Sequence, residues 1–191
     1  MDNGKPFSAY IKADLNRYCG TISFYCFLRS YFLLPEFRYI FWMRATAATR
    51  RTPFAFPLHI LCRLILRRLS HKFGISIPYD TKIGLGFYIG HFGGIVVSAK
   101  AIIGNNCNLS CGVVIGETFR GKRRGVPVIG NKVYIAPGAK VIGGVTIGDN
   151  VAIGTNCVVT KDIPDNAVVV GVPGRIISYD GSTGYMTRTV E

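Results

Sequence analysis

Acidic residues are scarce in this chain of 191 residues: 10 Asp and Glu stand against 23 Lys and Arg, a net charge of +13. The excess is uneven. Residues 1–72 carry 12 basic and 3 acidic side chains, net +9, and residues 73–191 carry 11 and 7, net +4. A basic, aromatic N-terminal part suits an anionic ligand such as a phosphorylated cofactor, or a peripheral contact with an anionic membrane surface. Nucleic acid is not expected as a partner, because no basic tract coincides with a nucleic-acid-binding motif. No uncharged run reaches the roughly 20 residues that a helix needs to cross a bilayer; Tyr18–Leu28 and Thr52–Cys62 fall far short of it. Met1–Pro6 lacks the cationic start and apolar run of a secretory leader, so none is expected. The six cysteines (19, 26, 62, 107, 111 and 157) contain no CxxC pair, and reduced thiols in the cytoplasm are the simplest account. Only three histidines occur, and no second His or Cys lies at ligand spacing from His91, so no metal site is expected. With 49% hydrophobic residues and 17% charged ones, the chain is not disordered.

What the chain does have is a period of six. Ile83, Ile89, Val97, Ile103, Leu109, Ile115, Ile129, Ile135, Val141, Ile147, Ile153 and Val159 are all aliphatic, in steps of six apart from one of eight (89 to 97) and one of fourteen (115 to 129). A small residue follows each anchor except Val141, and a second apolar set stands two positions before, including Ile95, Ala101, Cys107, Val113, Val133, Ala139, Val145, Val151 and Cys157. Helices repeat near 3.6 residues and strands near 2, so neither alone makes this pattern. A hexad repeat marks a parallel β-helix, whose turns bury their side chains against one another. Three hexads per triangular turn predict about five turns, a prism roughly 24 Å long at ~4.8 Å per turn.

Before the prism, helices are expected over Ala9–Tyr18, Ser23–Leu34, Glu36–Ala48 and Leu58–Lys72, with Pro35 opening the third. Arg50–Pro57, with two prolines, reads as a connection. In the last helix Leu58, Leu61, Ile65 and Leu69 form one stripe that would pack on the prism or on a neighbouring subunit. Gly74 ends the helical part, Gly171–Gly174 is a turn, and the polar tail from Ser178 to Glu191 is expected to be mobile. The organisation expected is a helical region over 1–73, a β-helix over 74–172 and a tail over 173–191.

A repeat that breaks register has usually been bent for a purpose. The first break holds Gly90-His91-Phe92-Gly93-Gly94; the second extrudes a loop over Glu117–Val126. His59 and His71 lie in the helical part and read as surface or capping residues. His91 stands in a glycine-flanked bulge, where a group titrating near neutrality can serve as general base.

The hexads, the I-G-H-F-G-G-I-V-V segment at 89–97 and the N-A-V-V-V-G-V-P-G-R run at 166–175 resemble the hexapeptide-repeat acyltransferases. Within them the chain is most similar to serine O-acetyltransferase and to the O-acetyltransferases of surface-polysaccharide synthesis. The likeness covers residues 74–177 closely and 10–72 loosely. It implies a mainly β fold, a left-handed parallel β-helix with an N-terminal α-helical region, assembled as a homotrimer or a dimer of trimers. The left hand comes from the family, since crossovers are in general right-handed. It implies acetyl-CoA as co-substrate, lying between adjacent prisms, with His91 as the catalytic base that deprotonates a small hydroxyl acceptor. Ala136, Gly154 and Thr155 would border the pantetheine arm, and Lys161 and Arg175 match basic positions near the CoA phosphates.

The acceptor side departs from the family. Where serine acetyltransferases carry an Asp before the catalytic His, this chain has Gly90, and where another Asp orients that His it has Ser76. Gly125-Val126 replace the loop's Arg-His pair that meets the serine carboxylate, and a downstream Glu is missing near Ala99. Ser76, Asp80 or a backbone carbonyl is left to orient the imidazole, and Glu117 is the loop's candidate for an acceptor contact. Overall likeness names L-serine, in cysteine biosynthesis. The missing contacts favour a sugar hydroxyl of a capsule or lipopolysaccharide precursor, and a non-enzymatic β-helix scaffold is the third reading.

Overall fold

A computed structural model of the chain describes residues 5–50 and 55–190. Half of the connection expected over Arg50–Pro57, residues 51–54, lies outside these residues, as does the start of Met1–Pro6, and Phe56 and Pro57 already belong to a helix. Among the described residues four helices come first: α1 (Phe7–Cys19), α2 (Phe24–Leu33), α3 (Pro35–Thr49) and α4 (Phe56–Phe73). Their ends follow local chemistry. Ser23 caps α2 by accepting a hydrogen bond from the Cys26 N–H at 3.1 Å. Pro35 occupies the first turn of α3, where no N–H is needed, and Gly74 closes α4 in the left-handed conformation at φ 62°. None of these helices is long and apolar enough to cross a membrane.

The chain from Ile75 onward coils into a three-faced parallel β-helix. One face has five strands, from Ile75–Ser76 through Ile95–Val97, Val114–Gly116 and Lys140–Ile142 to Val158–Val159. A second has four, Lys82–Ile83, Ile102–Ile103, Val128–Ile129 and Thr146–Ile147. The third stacks Tyr88–Ile89, Asn108–Leu109, Tyr134–Ile135, Ala152–Ile153 and Val168–Val170, and Arg175–Ser178 closes it antiparallel. All twelve hexad anchors are buried, as are all nine residues of the second apolar set named above. Each such aliphatic contributes about 1.5–3 kcal/mol by leaving water.

The helices extend this core. Tyr39, Ile40 and Met43 of α3 and Leu66, Leu69 and Phe73 of α4 join Ile75, Ile77, Ile83 and Phe87 of the first turn in one cluster. The face that α4 uses overlaps the expected stripe at Leu69, which is buried, and at Ile65, which packs partly buried against the core. Cys62, Leu66, Leu69 and Phe73 are its buried residues, whereas Leu58 and Leu61 are 51% and 52% exposed. Apolar residues surround most of α4, so several stripes fit the helical period and packing selects among them.

Each corner of the prism carries a different load. Between the third and first faces it bears the His91 bulge. Between the first and second it bears the extruded loop, held by the bridge from Thr118 to Gly125, by Arg123 to Asp162 (2.7 Å) and by Lys100 to Glu117 (3.0 Å). Between the second and third stand Asn106, Lys132, Asn150 and Asn166, each in the left-handed conformation, which Asn tolerates better than most residues.

The tail is ordered, contrary to the expectation from its composition. It runs down the asparagine corner from the last turn to α1. The Gly181 N–H donates to Asn166 O at 2.8 Å, and the single proton of the Ser182 hydroxyl is shared between Lys132 O and Asn150 Oδ1, each 2.8 Å away. Tyr185 stacks on Tyr134, Asn106 pairs in both directions with Val190, and Asn16 donates to Arg188 O. The amides of Gly181, Ser182 and Val190 and the Ser182 hydroxyl thus meet polar groups that the corner leaves open.

The thiols divide by environment. Cys107 is fully buried beneath Gly130 O, and burial pushes its thiol up to about 12. At Cys26, hydrogen bonding from Ser23 and then Thr21 draws the thiol below its ordinary value. A thiolate is the reactive form. A disulfide reagent at neutral pH is therefore expected to label Cys26 well before Cys107, with site occupancy read by mass spectrometry of the native protein; equal labelling would contradict this.

Candidate active site

The step of eight after Ile89 adds two residues to one corner, and the chain spends them on a bulge. Gly94, at φ 68°, makes the close approach: a Cβ there would stand 3.3 Å from Gly112 Cα of the next turn. Phe92 packs its ring 5.6 Å from that of Phe73, fixing the bulge against the end of α4. His91 is thereby left exposed.

The imidazole borders a cleft of about 490 Å³ between the prism and the helices. Tyr88 and His91 form the prism wall, Tyr18 comes from α1, Arg29 from α2 and Glu36 from α3. The cleft exists because α1 lies against the third face. The Tyr18 hydroxyl donates to Ile89 O at 3.0 Å and accepts from the Ile89 N–H at 3.1 Å, and Arg17 donates to Asn108 Oδ1. Burial pushes the Tyr18 phenol well above its usual range. It therefore stays protonated and holds the strand, leaving His91 as the accessible proton acceptor.

Glu36 is the unusual wall residue. It is 8% exposed, and among the described residues its carboxylate has no hydrogen-bond or ion-pair partner. Buried carboxylates are as a rule paired.

The expected site residues fall into three groups. Gly90 lines the cleft beside His91. From it one edge of the prism climbs through Ser110, Ala136 and Gly154, whose amides donate upward in turn: Gly90 N–H to Leu109 O (2.9 Å), Ser110 N–H to Ile135 O (3.1 Å), Ala136 N–H to Ile153 O (2.9 Å) and Gly154 N–H to Val169 O (2.8 Å). Thr155 stands exposed beside Gly154, and Arg175 pairs with Val170 one turn higher. Four steps of ~4.8 Å separate the level of Gly90 from that of Val170, about 19 Å. Lys161 is exposed but belongs to the corner of the extruded loop. Ser76, Asp80 and Glu117 do not line the cleft: Ser76 faces a separate hollow against α4, Asp80 stands 3.9 Å from Arg50, and Glu117 is held by Lys100. Glu36, Arg29 and Tyr18 were not legible as site residues, because only the folding of α1–α3 onto the third face brings them to His91.

Residues 127–161 match the family model described as bacterial transferase hexapeptide (six repeats). The serine acetyltransferase of Synechococcus elongatus is 38% identical over 122 residues, 62% of this chain and 50% of that protein. The chain thus spans about half the length of that curated relative. Among solved structures, a Neisseria gonorrhoeae serine acetyltransferase in complex with serine superposes with a TM-score of 0.72 at 27% identity, covering 90% of this chain and 69% of the other. A serine acetyltransferase in complex with CoA gives 0.68 at 27% identity, covering 90% and 68%. The chain carries a stretch that matches the transferase hexapeptide model and resembles serine acetyltransferases in sequence and in fold.

Proposed function

We propose that this chain, with its transferase hexapeptide repeat and its likeness to serine acetyltransferases, is an acetyl-CoA-dependent O-acetyltransferase acting on the hydroxyl of a small acceptor, L-serine in the first instance. The observation that carries the reading is the exposed His91 at the mouth of a cleft, standing at the foot of a straight edge of small residues. The acceptor occupies the cleft and the thioester lies along the edge, with Ala136, Gly154 and Thr155 beside the pantetheine arm and Arg175 toward the phosphates. His91 takes the hydroxyl proton as the oxygen attacks the thioester carbonyl. Backbone N–H groups of the bulge face the oxyanion. The tetrahedral adduct collapses to the acetyl ester, and the departing CoA thiolate receives the proton from the imidazolium.

The transferring domain is taken as 74–172, coiled with a left hand, between the helical region 1–73 and the tail 173–191. A homotrimer suits the division of the basic residues: Lys161 stands on the loop's corner and Arg175 near the His91 edge, so a groove between two chains brings one of each to the same ligand. Free cysteines throughout the described residues suit a reducing, cytoplasmic setting.

A thiol-release assay with acetyl-CoA and a panel of L-serine, hexoses and amino sugars tests the reading. Turnover with L-serine is the expected result. Turnover confined to sugars would move the protein to polysaccharide modification, and the absence of acetyl-CoA binding at millimolar concentration would leave the scaffold reading.

A further inference from the structure

We propose that acceptor recognition has moved from the extruded loop to the helices, and that Glu36 and Arg29 select an acceptor carrying an ammonium and a carboxylate beside its hydroxyl. This rests on the transferase reading for the role of His91, but not for the chemistry of the pocket.

Glu36 is 8% exposed as a residue, lines the cleft, and has no hydrogen-bond or ion-pair partner among the described residues, which leaves its carboxylate open to a cation. It lies in the first turn of α3. An ammonium entering the cleft would neutralise it through charge-assisted hydrogen bonds, stronger than those from neutral hydroxyls. Arg29 is exposed at the same cleft, and its guanidinium matches a carboxylate in a two-pronged fashion. The signs therefore alternate across the cleft: an anion within, a cation toward solvent and His91 on the prism side. A neutral sugar would leave the Glu36 charge uncompensated. Of the loop's charged residues, Glu117 is engaged by Lys100 and Arg123 by Asp162. A volume of about 490 Å³ falls within the range of small-molecule sites.

The test is a set of binding titrations on the full chain with CoA present, using L-serine, ethanolamine (ammonium without carboxylate), 3-hydroxypropionate (carboxylate without ammonium) and glycerol (neither). Glu36→Gln is expected to weaken L-serine and ethanolamine by roughly 10-fold or more, the scale for a hydrogen bond to a charged group, while leaving 3-hydroxypropionate unchanged. Arg29→Gln should weaken L-serine and 3-hydroxypropionate and spare ethanolamine. Equal binding of L-serine by wild type and Glu36→Gln, or glycerol binding the wild type as well as L-serine does, would overturn the proposal. Should Glu36→Gln fold poorly, the wild-type ranking of the four ligands and the surface variant Arg29→Gln still decide it. A separate CoA titration of the wild type judges the transferase reading independently.

Discussion

Replacing His91 with alanine is expected to lower the rate of acetyl transfer by roughly 10²–10⁴-fold, the usual contribution of a positioned general base. The loss should fall on the chemical step. His91 is exposed on a bulge whose shape comes from Gly94 and from the Phe92–Phe73 contact, so the substitution removes no buried packing. The thermal midpoint and the affinity for CoA should both be retained. His91→Asn, which keeps a polar side chain but no base, should be as impaired as alanine. Thiol release under saturating acetyl-CoA and acceptor is the measurement, and a near-normal rate in either variant would exclude the role.

Replacing Asp14 with alanine is expected to cost about 3–5 kcal/mol of folding stability, the range for breaking a buried ion pair from one side. Asp14 on α1 and Arg44 on α3 are both buried, with Arg44 Nε donating to Asp14 Oδ2 at 3.0 Å. The pair also ties both helices to the first turn of the prism. Arg44 donates to Ile83 O at 2.8 Å and to Gly84 O at 2.6 Å, and the Phe87 N–H donates to Asp14 Oδ1 at 2.8 Å. Burial pushes the Asp14 carboxyl above its ordinary range, against the pull of Arg44 and of the backbone N–H groups of Phe87 and Gly86. Alanine would strand the guanidinium and leave the Phe87 N–H without its acceptor. At roughly 2–4 °C per kcal/mol for a chain of this size, the midpoint should fall by about 10 °C. Replacing both residues by apolar ones of similar volume should recover much of the loss. A midpoint within a degree of wild type for Asp14→Ala would contradict the assignment.

The prism was legible because its constraint is local and repeated. Each turn must bury an aliphatic every sixth residue, and twelve anchors report the same rule. The Asp14–Arg44 pair was not legible, since the partners lie 30 residues apart and neither carries a repeating signal. Glu36 was hidden for a related reason. An acid after a proline at the start of a helix has an ordinary explanation in the helix dipole, and only the placement of α3 beside the third face gives it another. The tail failed in the opposite sense. Its polarity suggested mobility, but a row of open asparagine and carbonyl groups makes a polar partner the fitting one. His91 stands out in the sequence because the repeat breaks there, whereas the helices, about which the repeat says nothing, decide which residues share its cleft; Ser76 and Glu117 lie outside it.

In a stack of repeats each layer ordinarily feels only its neighbours, so the ends can fray while the middle holds. Here residues 178–190 span the stack lengthwise, fastened near Asn166 in the upper layers and at Asn16 and Asn106 in the lower ones. Losing the top layer would loosen the bottom one as well. Amide exchange should accordingly show the two extremities opening together with the centre, as a hoop binds staves into one barrel.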